Sequence, residues 1–404
     1  MELGFPLLLD GATGTELQKR GFGGSEAAES WVLRHSEAIR EIQKGYLDAG
    51  SQVLYTPTFG ANRVKLEQYR IFNQVKDYNL RLAALSRETA AGRALVAGDI
   101  APTGEFLYPL GELQFEELVE IYREQAAALE EAGVDLFVIE TMMTLPEARA
   151  AVLAVKEVSR KPVFVTMTCD ENGKTLTGTD VTAALTVLQG MGVDAFGLNC
   201  SAGPAEMLTQ LRRLTPYAEI PLIAKPNAGV PRMVDGETVY DCGAEEFVKY
   251  VGDMAKAGVQ IFGGCCGTEA SHIAALREAV KGISMREPAP KYGELLPCAT
   301  EKEVCYVSAS AAYEGVVTCS ADLEDDLMDA QEDGELLAVS IRSEADLDDF
   351  AEVQYLIRKP LCILCEDAAL LEQALRLYQG RALYEGSLSD EVLFPLVRKY
   401  GLII

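Results

Sequence analysis

Three cysteine thiols stand directly after short apolar runs of this sequence. Cys265 and Cys266 are adjacent in "IFGGCCGTEASH", and Cys200 closes the run "AFGLNC". A disulfide between neighbouring cysteines is strained, so the adjacent pair calls for another explanation. Thiolate sulfur is a preferred ligand of Zn²⁺, and a catalytic zinc site has three protein ligands and one open position. The three thiols therefore predict a metal site, provided that the fold brings Cys200 close to the other two.

Inert burial is the alternative for each thiol taken alone, because cysteine is among the most frequently buried residue types. Gly263, Gly264 and Gly267 flank the pair and permit backbone angles that turn both side chains inward. This favours the metal site. The "CILC" segment, with Cys362 and Cys365, is instead predicted to be buried core, because residues i and i+3 of a strand face opposite sides.

A recurring pattern supplies the elements that would position these thiols. An amphipathic helix, a small-residue stop and an apolar strand follow one another repeatedly, and the stops "DAGSQV", "EAGVDL", "MGVDAF" and "AGVQIF" are near-copies. The predicted strands are "PLLLD", "QVLYTPTF", "ALVAGDI", "DLFVIE", "PVFVTMT", "AFGLNC", "PLIAKPN" and "QIFGGCC". Apolar strands that alternate with helices indicate a covered parallel sheet. This α/β pattern predicts a (β/α)8 TIM barrel, with an open doubly wound sheet as the alternative.

Active residues of a (β/α)8 barrel lie at the carboxyl ends of the strands, where the βα loops converge. The predicted strand ends are Asp10, Phe59, Asp99, Glu140, Cys169, Cys200, Asn227, Cys265 and Cys266. The three thiols end strands six and eight, and inward-leaning loops can close the roughly 10 Å between those strands. Asn227 ends strand seven between them. Its neutral oxygen could occupy the open metal position before substrate arrives, or the residue could simply form a turn.

With these residues assembled, the sequence resembles the homocysteine S-methyltransferase family, which includes the homocysteine-binding barrel of cobalamin-dependent methionine synthase. The matching segments, in family order, are "LLLDGATGTELQKRG", "YTPTFGANRVKL", "LFVIET", "GLNCSAGP", "KPNAGVP" and "GGCCGTEASHI". The resemblance implies that residues 1–285 form a zinc- and homocysteine-binding barrel. It also implies that Cys200, Cys265 and Cys266 bind Zn²⁺ and that the sulfur of homocysteine is the fourth ligand.

The same resemblance assigns the amino-acid end of homocysteine to the "DGATGT" loop, with Asp10, Gly11 and Ala12, and to Glu140. The Glu140 carboxylate can accept hydrogen bonds from the substrate ammonium, and the free amides of Gly11 and Ala12 can face its carboxylate. A plain βα turn and a phosphate-binding turn are alternatives for the loop, and a helix cap or an arginine pair is an alternative for Glu140. The implied enzyme is a methyltransferase in which a zinc-bound homocysteine thiolate attacks a donor methyl group and forms methionine.

Residues 298–404 are predicted to form a smaller C-terminal α/β domain after a linker at 286–297. The apolar runs "VCYVS", "LLAVSI", "PLCILC", "ALYEG" and "GLII" alternate there with helical stretches. The segment "PLCILCEDAALLEQALRLYQGRALYEGS" weakly resembles part of the methyltetrahydrofolate-binding barrel of methionine synthase. A complete eight-stranded barrel needs about 250 residues. We therefore expect a partial, pterin-binding-like unit.

The likeness of this C-terminal part to methionine synthase favours a methylcorrinoid, such as methylcobalamin, carried on a partner protein as the methyl donor. S-methylmethionine and S-adenosylmethionine are the alternative donors. Betaine is disfavoured, because an aromatic cage would be needed and the single Trp31 lies near no predicted strand end. A non-catalytic zinc-binding scaffold and another barrel enzyme, such as a metal-dependent lyase, are the alternatives of other classes.

The composition excludes several classes of partner. The formal net charge of −26 argues against nucleic acids and anionic membranes, which bind clustered lysine and arginine. The start "MELGFPLLLD" predicts neither a signal peptide nor a transmembrane helix, and no later run is long enough to span a membrane. Ten cysteines without a secretory signal indicate a reducing compartment. The expected location is the cytoplasm.

Overall fold

The structure is a computed structural model that describes residues 4–234, 237–320, 322–332 and 334–404. These residues divide into two compact units. The first comprises 4–172, 194–215 and 220–288, and the second comprises 173–193, 216–219 and the described residues of 289–404. In the described part of the chain, no helix is both long enough and apolar enough to cross a membrane.

The first unit is built around one sheet of eight parallel strands. These strands are β1 Leu7–Leu8, β2 Val53–Tyr55, β3 Leu95–Ile100, β4 Leu136–Met142, β5 Val163–Met167, β6 Ala195–Asn199, β7 Leu222–Lys225 and β10 Val259–Phe262. Between the last two, β8 Arg232–Val234 and β9 Glu237–Val239 form a separate antiparallel hairpin. The sheet order is β1-β10-β7-β6-β5-β4-β3-β2, so from β2 onward the strands of this sheet that follow one another along the chain are neighbours, and β1 pairs with β10.

Hydrogen bonds bring the two ends of this sheet together. The backbone N–H of Gln52 donates to the carbonyl of Leu8 at 2.8 Å, and the Gln52 side-chain oxygen accepts from the Leu8 N–H at 2.8 Å. The hydroxyl of Ser51 donates to the carbonyl of Leu9 at 3.1 Å. Strands β1 and β2 are therefore adjacent, and the sheet closes on itself. The predicted (β/α)8 barrel is confirmed, and the open doubly wound sheet is excluded.

Helices follow the barrel strands along the chain. They are α1 Gly14–Lys19, α2 Ala28–Arg34, α3 Ser36–Ala49, α4 Arg63–Glu67, α5 Val75–Ala90, α6 Phe115–Glu131, α7 Leu145–Val158, α8 Val181–Gly190, α9 Pro204–Leu214, α10 Ala244–Phe247, α11 Val251–Lys256 and α12 Ala270–Ala279, with 3-10 turns at Phe72–Gln74 and Val248–Tyr250. In α3 the apolar stripe of Ile39, Ile42 and Tyr46 is buried. Gly50 ends this helix with φ 115°, a left-handed conformation that glycine adopts readily.

The barrel interior is filled with apolar side chains. One buried cluster contains Leu7, Leu9, Val53, Tyr55, Ala97, Leu136, Val138, Phe164, Ala195, Ile223 and Ile261, so every strand of the sheet contributes to it. Inward-facing residues alternate along each strand. The centre of the barrel is therefore a packed core, and a site for ligands is expected where the strands end.

The second unit contains a four-stranded parallel sheet and an antiparallel pair. Its strands are β11 Leu296–Ala299, β12 Val304–Val307, β13 Val316–Thr318, β14 Leu337–Ser340, β15 Leu361–Leu364 and β16 Leu383–Glu385. After β12 its helical elements are α13 Leu323–Ala330, α14 Glu344–Val353, α15 Ala368–Leu377, α16 Asp390–Tyr400 and a 3-10 turn at Gln354–Leu356. The sheet order β13-β14-β15-β16 and the helices between these strands match the predicted α/β character.

The boundaries of the second unit differ from a simple division of the chain. Residues 173–193, which include α8, belong to it together with 216–219. The first residues of β11 lie inside the predicted linker 286–297. The assignment of 1–285 and 298–404 to separately folding domains therefore stays a prediction, which limited proteolysis can test.

Candidate functional site

The three predicted thiols meet in the structure. Cys200 directly follows β6, and Cys265 and Cys266 lie in the turn that follows β10. Their sulfur atoms all lie within 4.8 Å of one another, and those of Cys200 and Cys266 are 3.5 Å apart. In the described part of the chain this is the only group of three or more His, Cys, Asp or Glu residues with such spacing. These residues could hold one metal ion.

Backbone hydrogen bonds between neighbouring βα loops fix the cysteine pair. The N–H of Cys265 donates to the carbonyl of Pro226 at 2.8 Å, and the carbonyl of Cys266 accepts from the N–H of Ala228 at 2.9 Å. The hydroxyl of Thr268 donates to the carbonyl of Cys265 at 2.7 Å. The loop after β7 is therefore hydrogen-bonded to the loop after β10. Cys265 and Cys266 lie outside the strand, and their side chains turn toward Cys200.

The glycines around the pair act differently from the prediction. Only Gly267 has a left-handed backbone, with φ 79°, whereas Gly263 and Gly264 do not. Glycine is required at those two positions because a side chain would not fit. A Cβ on Gly263 would lie 2.9 Å from Cβ of Leu9, and a Cβ on Gly264 would collide with Thr268. Cys200 itself adopts the left-handed conformation, with φ 54°. This is strained for a non-glycine residue, and such residues cluster at functional sites.

The thiols perturb one another electrostatically. Hydrogen bonding from Cys200 and Cys265 lowers the pKa of the Cys266 thiol to about 3. Hydrogen bonding with Cys200 and Cys266 raises the pKa of Cys265 well above its usual value. The three thiols therefore oppose one another's ionisation, and a cation bound among them would favour the thiolate form of each.

Two positioning residues were not predicted from the sequence. The Asn199 side chain donates to the hydroxyl of Thr141 at 2.7 Å and accepts from the Thr141 N–H at 3.0 Å. It also lies 3.8 Å from the sulfur of Cys265. Thr141 has φ 63°, and the pairing of β4 with β5 is irregular at this point. Asn199 thereby connects the residue after Glu140 to the thiol group.

A cavity of about 510 Å³ opens at this end of the barrel. The predicted residues Asp10, Gly11, Ala12, Glu140, Cys200, Cys265 and Cys266 all line it, together with Asp99, Tyr55, Phe59 and Lys225. The structure thus brings together the metal and substrate residues that were predicted, apart from one. Asn227 does not line this cavity, although it is buried and its Nδ2 donates to the carbonyl of Cys200 at 3.2 Å.

Four buried charged residues of the cavity lining, Asp10, Asp99, Glu140 and Lys225, are called its floor. Nζ of Lys225 lies 3.3 Å from Oε2 of Glu140, 3.7 Å from Oδ1 of Asp10 and 3.7 Å from the centre of the Tyr55 ring. Burial raises the pKa of Asp10 to about 6, although Lys225 opposes this shift. Burial also raises the pKa of Asp99 well above its usual value, and Glu140 adds to this effect. At neutral pH the floor therefore combines the ionised carboxylate of Asp10 with a buried ammonium, since the pKa of Lys225 lies well above its usual value.

Lys225 was not predicted as a site residue, although a signal for it exists. It lies two positions after Ile223, which faces the barrel interior, so strand alternation places Lys225 on the same inward face. Its side chain is only 3% exposed. A charged residue at the inward end of a barrel strand is expected at the ligand cavity and not in the apolar core.

One detail of the "DGATGT" loop differs from the prediction. The N–H of Ala12 is not free, because it donates to the hydroxyl of Thr268 at 3.1 Å. No hydrogen-bond partner is found for the Gly11 N–H within the described residues. Of the two amides predicted to face a substrate carboxylate, only that of Gly11 is therefore available in this conformation.

The other candidate thiols lie outside the three-cysteine group. Cys362 and Cys365 are buried, as predicted for core residues, and the sulfur of Cys365 donates to the carbonyl of Asp367 at 3.2 Å. Cys169 follows β5, and its N–H donates to the hydroxyl of Ser201 at 3.0 Å. Position at a strand end alone therefore does not place a thiol in the metal group.

The fold and the site define a (β/α)8 barrel whose three-thiol group, at the carboxyl ends of the strands, could hold a metal ion in the barrel mouth. The sequence profile of the homocysteine S-methyltransferase family matches residues 7–280. The chain belongs to this family, as its sequence motifs predicted. This membership favours the enzyme over the scaffold and lyase alternatives.

Individual relatives support this assignment. Methionine synthase from Mycobacterium tuberculosis is 32% identical over 302 residues, which is 70% of this chain and 25% of that protein. Methionine synthase from Mycobacterium leprae is 33% identical over 290 residues, which is 67% of this chain and 24% of that protein. The chain therefore spans about a quarter of the length of these relatives.

Solved structures give the same result. The metallated form of the homocysteine methyltransferase MmuM from Escherichia coli matches with a TM-score of 0.57 and 26% identity. The match covers 67% of this chain and 95% of that chain. The oxidized form of the same protein matches with a TM-score of 0.58. The similarity thus extends over almost the whole of a shorter homocysteine methyltransferase.

Proposed function

We propose that this protein transfers a methyl group to the sulfur of homocysteine, forming methionine, and that Zn²⁺ bound by Cys200, Cys265 and Cys266 is required. The observation that carries the proposal is the convergence of these three sulfur atoms, within 4.8 Å of one another, in a cavity that also contains buried carboxylates. The family membership and the names of the relatives, methionine synthase and homocysteine methyltransferase, support the same reaction.

The three thiols fit zinc by spacing and by chemistry. Zinc–sulfur bonds of about 2.3 Å in a tetrahedral site place the sulfur atoms about 3.8 Å apart. The 3.5 Å between Cys200 and Cys266, and the 4.8 Å limit for the whole group, are compatible with this spacing. Thiolates are also among the softest protein ligands, and soft ligands favour zinc over magnesium or calcium. The metallated form of MmuM supports a metal in this family.

The proposed roles of the residues follow from their charges. When bound, zinc lowers the pKa of a coordinated thiol and so supplies a sulfur nucleophile at neutral pH. Glu140 and Asp10 would receive the substrate ammonium, since the pKa of about 6 for Asp10 leaves it ionised at pH 7. The Gly11 amide would face the substrate carboxylate. The cysteine group lines the same cavity, so the substrate sulfur can reach it while its amino-acid end lies on the floor.

Asn227 is proposed as an additional oxygen ligand in the substrate-free state. Its Nδ2 is used by the carbonyl of Cys200, and its buried Oδ1 has no hydrogen-bond partner among the described residues. A buried polar atom without a partner is uncommon and needs an explanation. Coordination of a metal ion beside Cys200 would supply one.

We propose a methylcorrinoid on a partner protein as the methyl donor. The likeness of the C-terminal sequence to methionine synthase and the identity of the curated relatives support this choice. S-methylmethionine or S-adenosylmethionine is the second candidate. The observation that favours a small donor is the cavity of about 510 Å³, which lies within the range of about 300–1,000 Å³ typical of small-molecule sites and exceeds the needs of homocysteine alone.

A donor assay tests the proposal and separates these candidates. Zinc-loaded protein is incubated with homocysteine and with methylcobalamin, S-methylmethionine or S-adenosylmethionine, and methionine is quantified by mass spectrometry. We expect methionine with methylcobalamin and faster turnover when the corrinoid is carried on a protein. Robust methionine formation with S-methylmethionine alone would show that the methyl donor is the small molecule and not a corrinoid protein. No methionine from any donor would contradict the proposed reaction.

We expect this enzyme in the cytoplasm. The proposed chemistry needs Cys200, Cys265 and Cys266 as free thiols, and a reducing compartment maintains thiols in that state. Among the described residues, no cysteine forms a disulfide.

A further inference from the structure

Lys225 is a buried cation in the substrate cavity that the proposed reaction has not yet used. Its ammonium contacts Glu140 and Asp10, the two acids proposed to receive the substrate ammonium. We propose that Lys225 binds the carboxylate of the substrate and thereby makes the enzyme selective for thiols that carry a complete α-amino-acid group. This inference rests on the proposed function and specifies the substrate class of the same site.

Lys225 has unused hydrogen-bond donors, whereas part of the donor capacity of the "DGATGT" loop is already used. The N–H of Ala12 already donates to Thr268, so of the two amides predicted to face a carboxylate only that of Gly11 stays available. Among the described residues, the one hydrogen bond of the Lys225 ammonium goes to Oε2 of Glu140 at 3.3 Å. An ammonium has three N–H donors. Lys225 therefore retains donor capacity toward a ligand.

Tyr55 strengthens this assignment. The Lys225 ammonium lies over the face of the Tyr55 ring, 3.7 Å from the ring centre. The Tyr55 hydroxyl is buried, and no hydrogen-bond partner is found for it in the described part of the chain. Tyr55 also lines the cavity. The Tyr55 hydroxyl and the spare N–H groups of Lys225 can therefore both donate to one carboxylate.

The two charged groups of an amino acid match the opposite charges of this site. The ammonium and the carboxylate are attached to the same carbon, so the ammonium can approach Glu140 or Asp10 while the carboxylate approaches Lys225. Each charge then meets an opposite charge in a site that is already ordered, which avoids reorganisation on binding. An amine without a carboxylate would instead bring a second cation close to Lys225 and gain nothing from it.

A competing interpretation gives the opposite result in experiment. If Lys225 only occupied the position of the substrate ammonium, homocysteine would have to displace it from Glu140 and Asp10. Removing the lysine would then improve the binding of every ligand with an ammonium group. If Lys225 binds the carboxylate, its removal weakens only ligands that have one.

Three thiol ligands distinguish these cases when titrated calorimetrically into the zinc-loaded full chain. They are homocysteine, 3-mercaptopropylamine, which lacks the carboxylate, and 4-mercaptobutyrate, which lacks the ammonium. In Lys225→Met we expect homocysteine and 4-mercaptobutyrate to bind at least about tenfold more weakly, because a charge-assisted hydrogen bond is lost. We expect 3-mercaptopropylamine to bind equally or more tightly.

Lys65 provides a matched control, because it is the other lysine that lines the cavity and it lies on α4. Lys65→Met should leave the preference for carboxylate ligands unchanged. Equal weakening of all three ligands in Lys225→Met, tighter homocysteine binding in that variant, or a carboxylate preference lost in Lys65→Met instead would each overturn the inference.

The removal of Lys225 leaves buried carboxylates without their cation and could unfold the protein. Zinc content and the thermal unfolding midpoint of the variant are therefore measured first. If Lys225→Met does not fold, the unchanged protein decides: 4-mercaptobutyrate should bind about tenfold more tightly than the uncharged 4-mercaptobutyramide. Equal binding overturns the inference. If no thiol binds the zinc-loaded protein, the proposed function itself is contradicted. If thiols bind without a preference for a carboxylate, only the inference about Lys225 is contradicted.

Discussion

Replacing Cys265 by alanine is expected to lower the affinity for zinc by a factor on the order of a hundred to a thousand and to abolish methyl transfer to homocysteine. Zinc binding by a structural site releases about 10–16 kcal/mol, which four ligands share, and each 1.4 kcal/mol corresponds to about a factor of ten in affinity. Cys200→Ala and Cys266→Ala should behave alike. Zinc is measured by mass spectrometry after dialysis and by competition with a chromophoric chelator.

Two thiols outside the group serve as controls. Cys169 also follows a barrel strand, and Cys362 belongs to the "CILC" segment in β15, but neither contributes to the three-sulfur group. Cys169→Ala and Cys362→Ala should therefore retain about one zinc per chain. An unchanged zinc affinity of Cys265→Ala in the competition with the chelator would contradict the proposed metal site, whatever the activity of that variant.

Replacing Glu140 by glutamine is expected to weaken homocysteine binding by about tenfold to a hundredfold, with the zinc content unchanged. Glutamine keeps the shape of the side chain but removes the charge, and a hydrogen bond to a charged group contributes about 1.5–3 kcal/mol. Glu140 lines the cavity and is nearly buried, so solvent screens this interaction less than at the surface. Calorimetry with the zinc-loaded protein gives the dissociation constant.

Glu117→Gln is the matched control for this change. Glu117 lies exposed on α6 and is not one of the residues that line the cavity. Its replacement should leave homocysteine binding unchanged within error. An unchanged affinity in Glu140→Gln would show that the substrate ammonium is not held by this carboxylate.

The barrel and its thiol group were predictable from the sequence because both depend on strong and regular patterns. The repeated helix, stop and strand pattern fixes the number of parallel strands, and the strand ends then place Cys200 near Cys265 and Cys266. The family motifs add Glu140 and the loop that begins at Asp10. The structure confirms the barrel and brings all of these residues to one cavity.

The residues that were missed depend on side-chain direction and loop conformation. Lys225 looks like an ordinary strand residue in the sequence, because alternation alone does not show which face of β7 points inward. In the structure the buried Ile223 on the same face shows that Lys225 points inward. The left-handed conformations of Thr141 and Cys200 have no sequence signal, because neither residue is glycine. The Ala12 amide could not be known to donate to Thr268, since these residues are distant along the chain.

The second unit contains two strands that the sequence did not reveal. Strand β11 includes Pro297, and proline within an apolar run argues against a strand unless the strand lies at an edge. In the part of the chain that the structure describes, it pairs with β12 and otherwise makes one isolated bridge, from Ala299 to Arg381, so β11 is such an edge. Strand β13 has three residues, which is too short for an alternation pattern.

Zinc K-edge X-ray absorption with and without homocysteine is the most direct measurement of the proposed metal chemistry. Three sulfur neighbours at about 2.3 Å are expected for the substrate-free protein, together with one oxygen or nitrogen neighbour. Addition of homocysteine should raise the number of sulfur neighbours from three to four. A zinc ion whose sulfur count does not change when homocysteine binds would contradict the proposal that the substrate reacts through metal-bound sulfur.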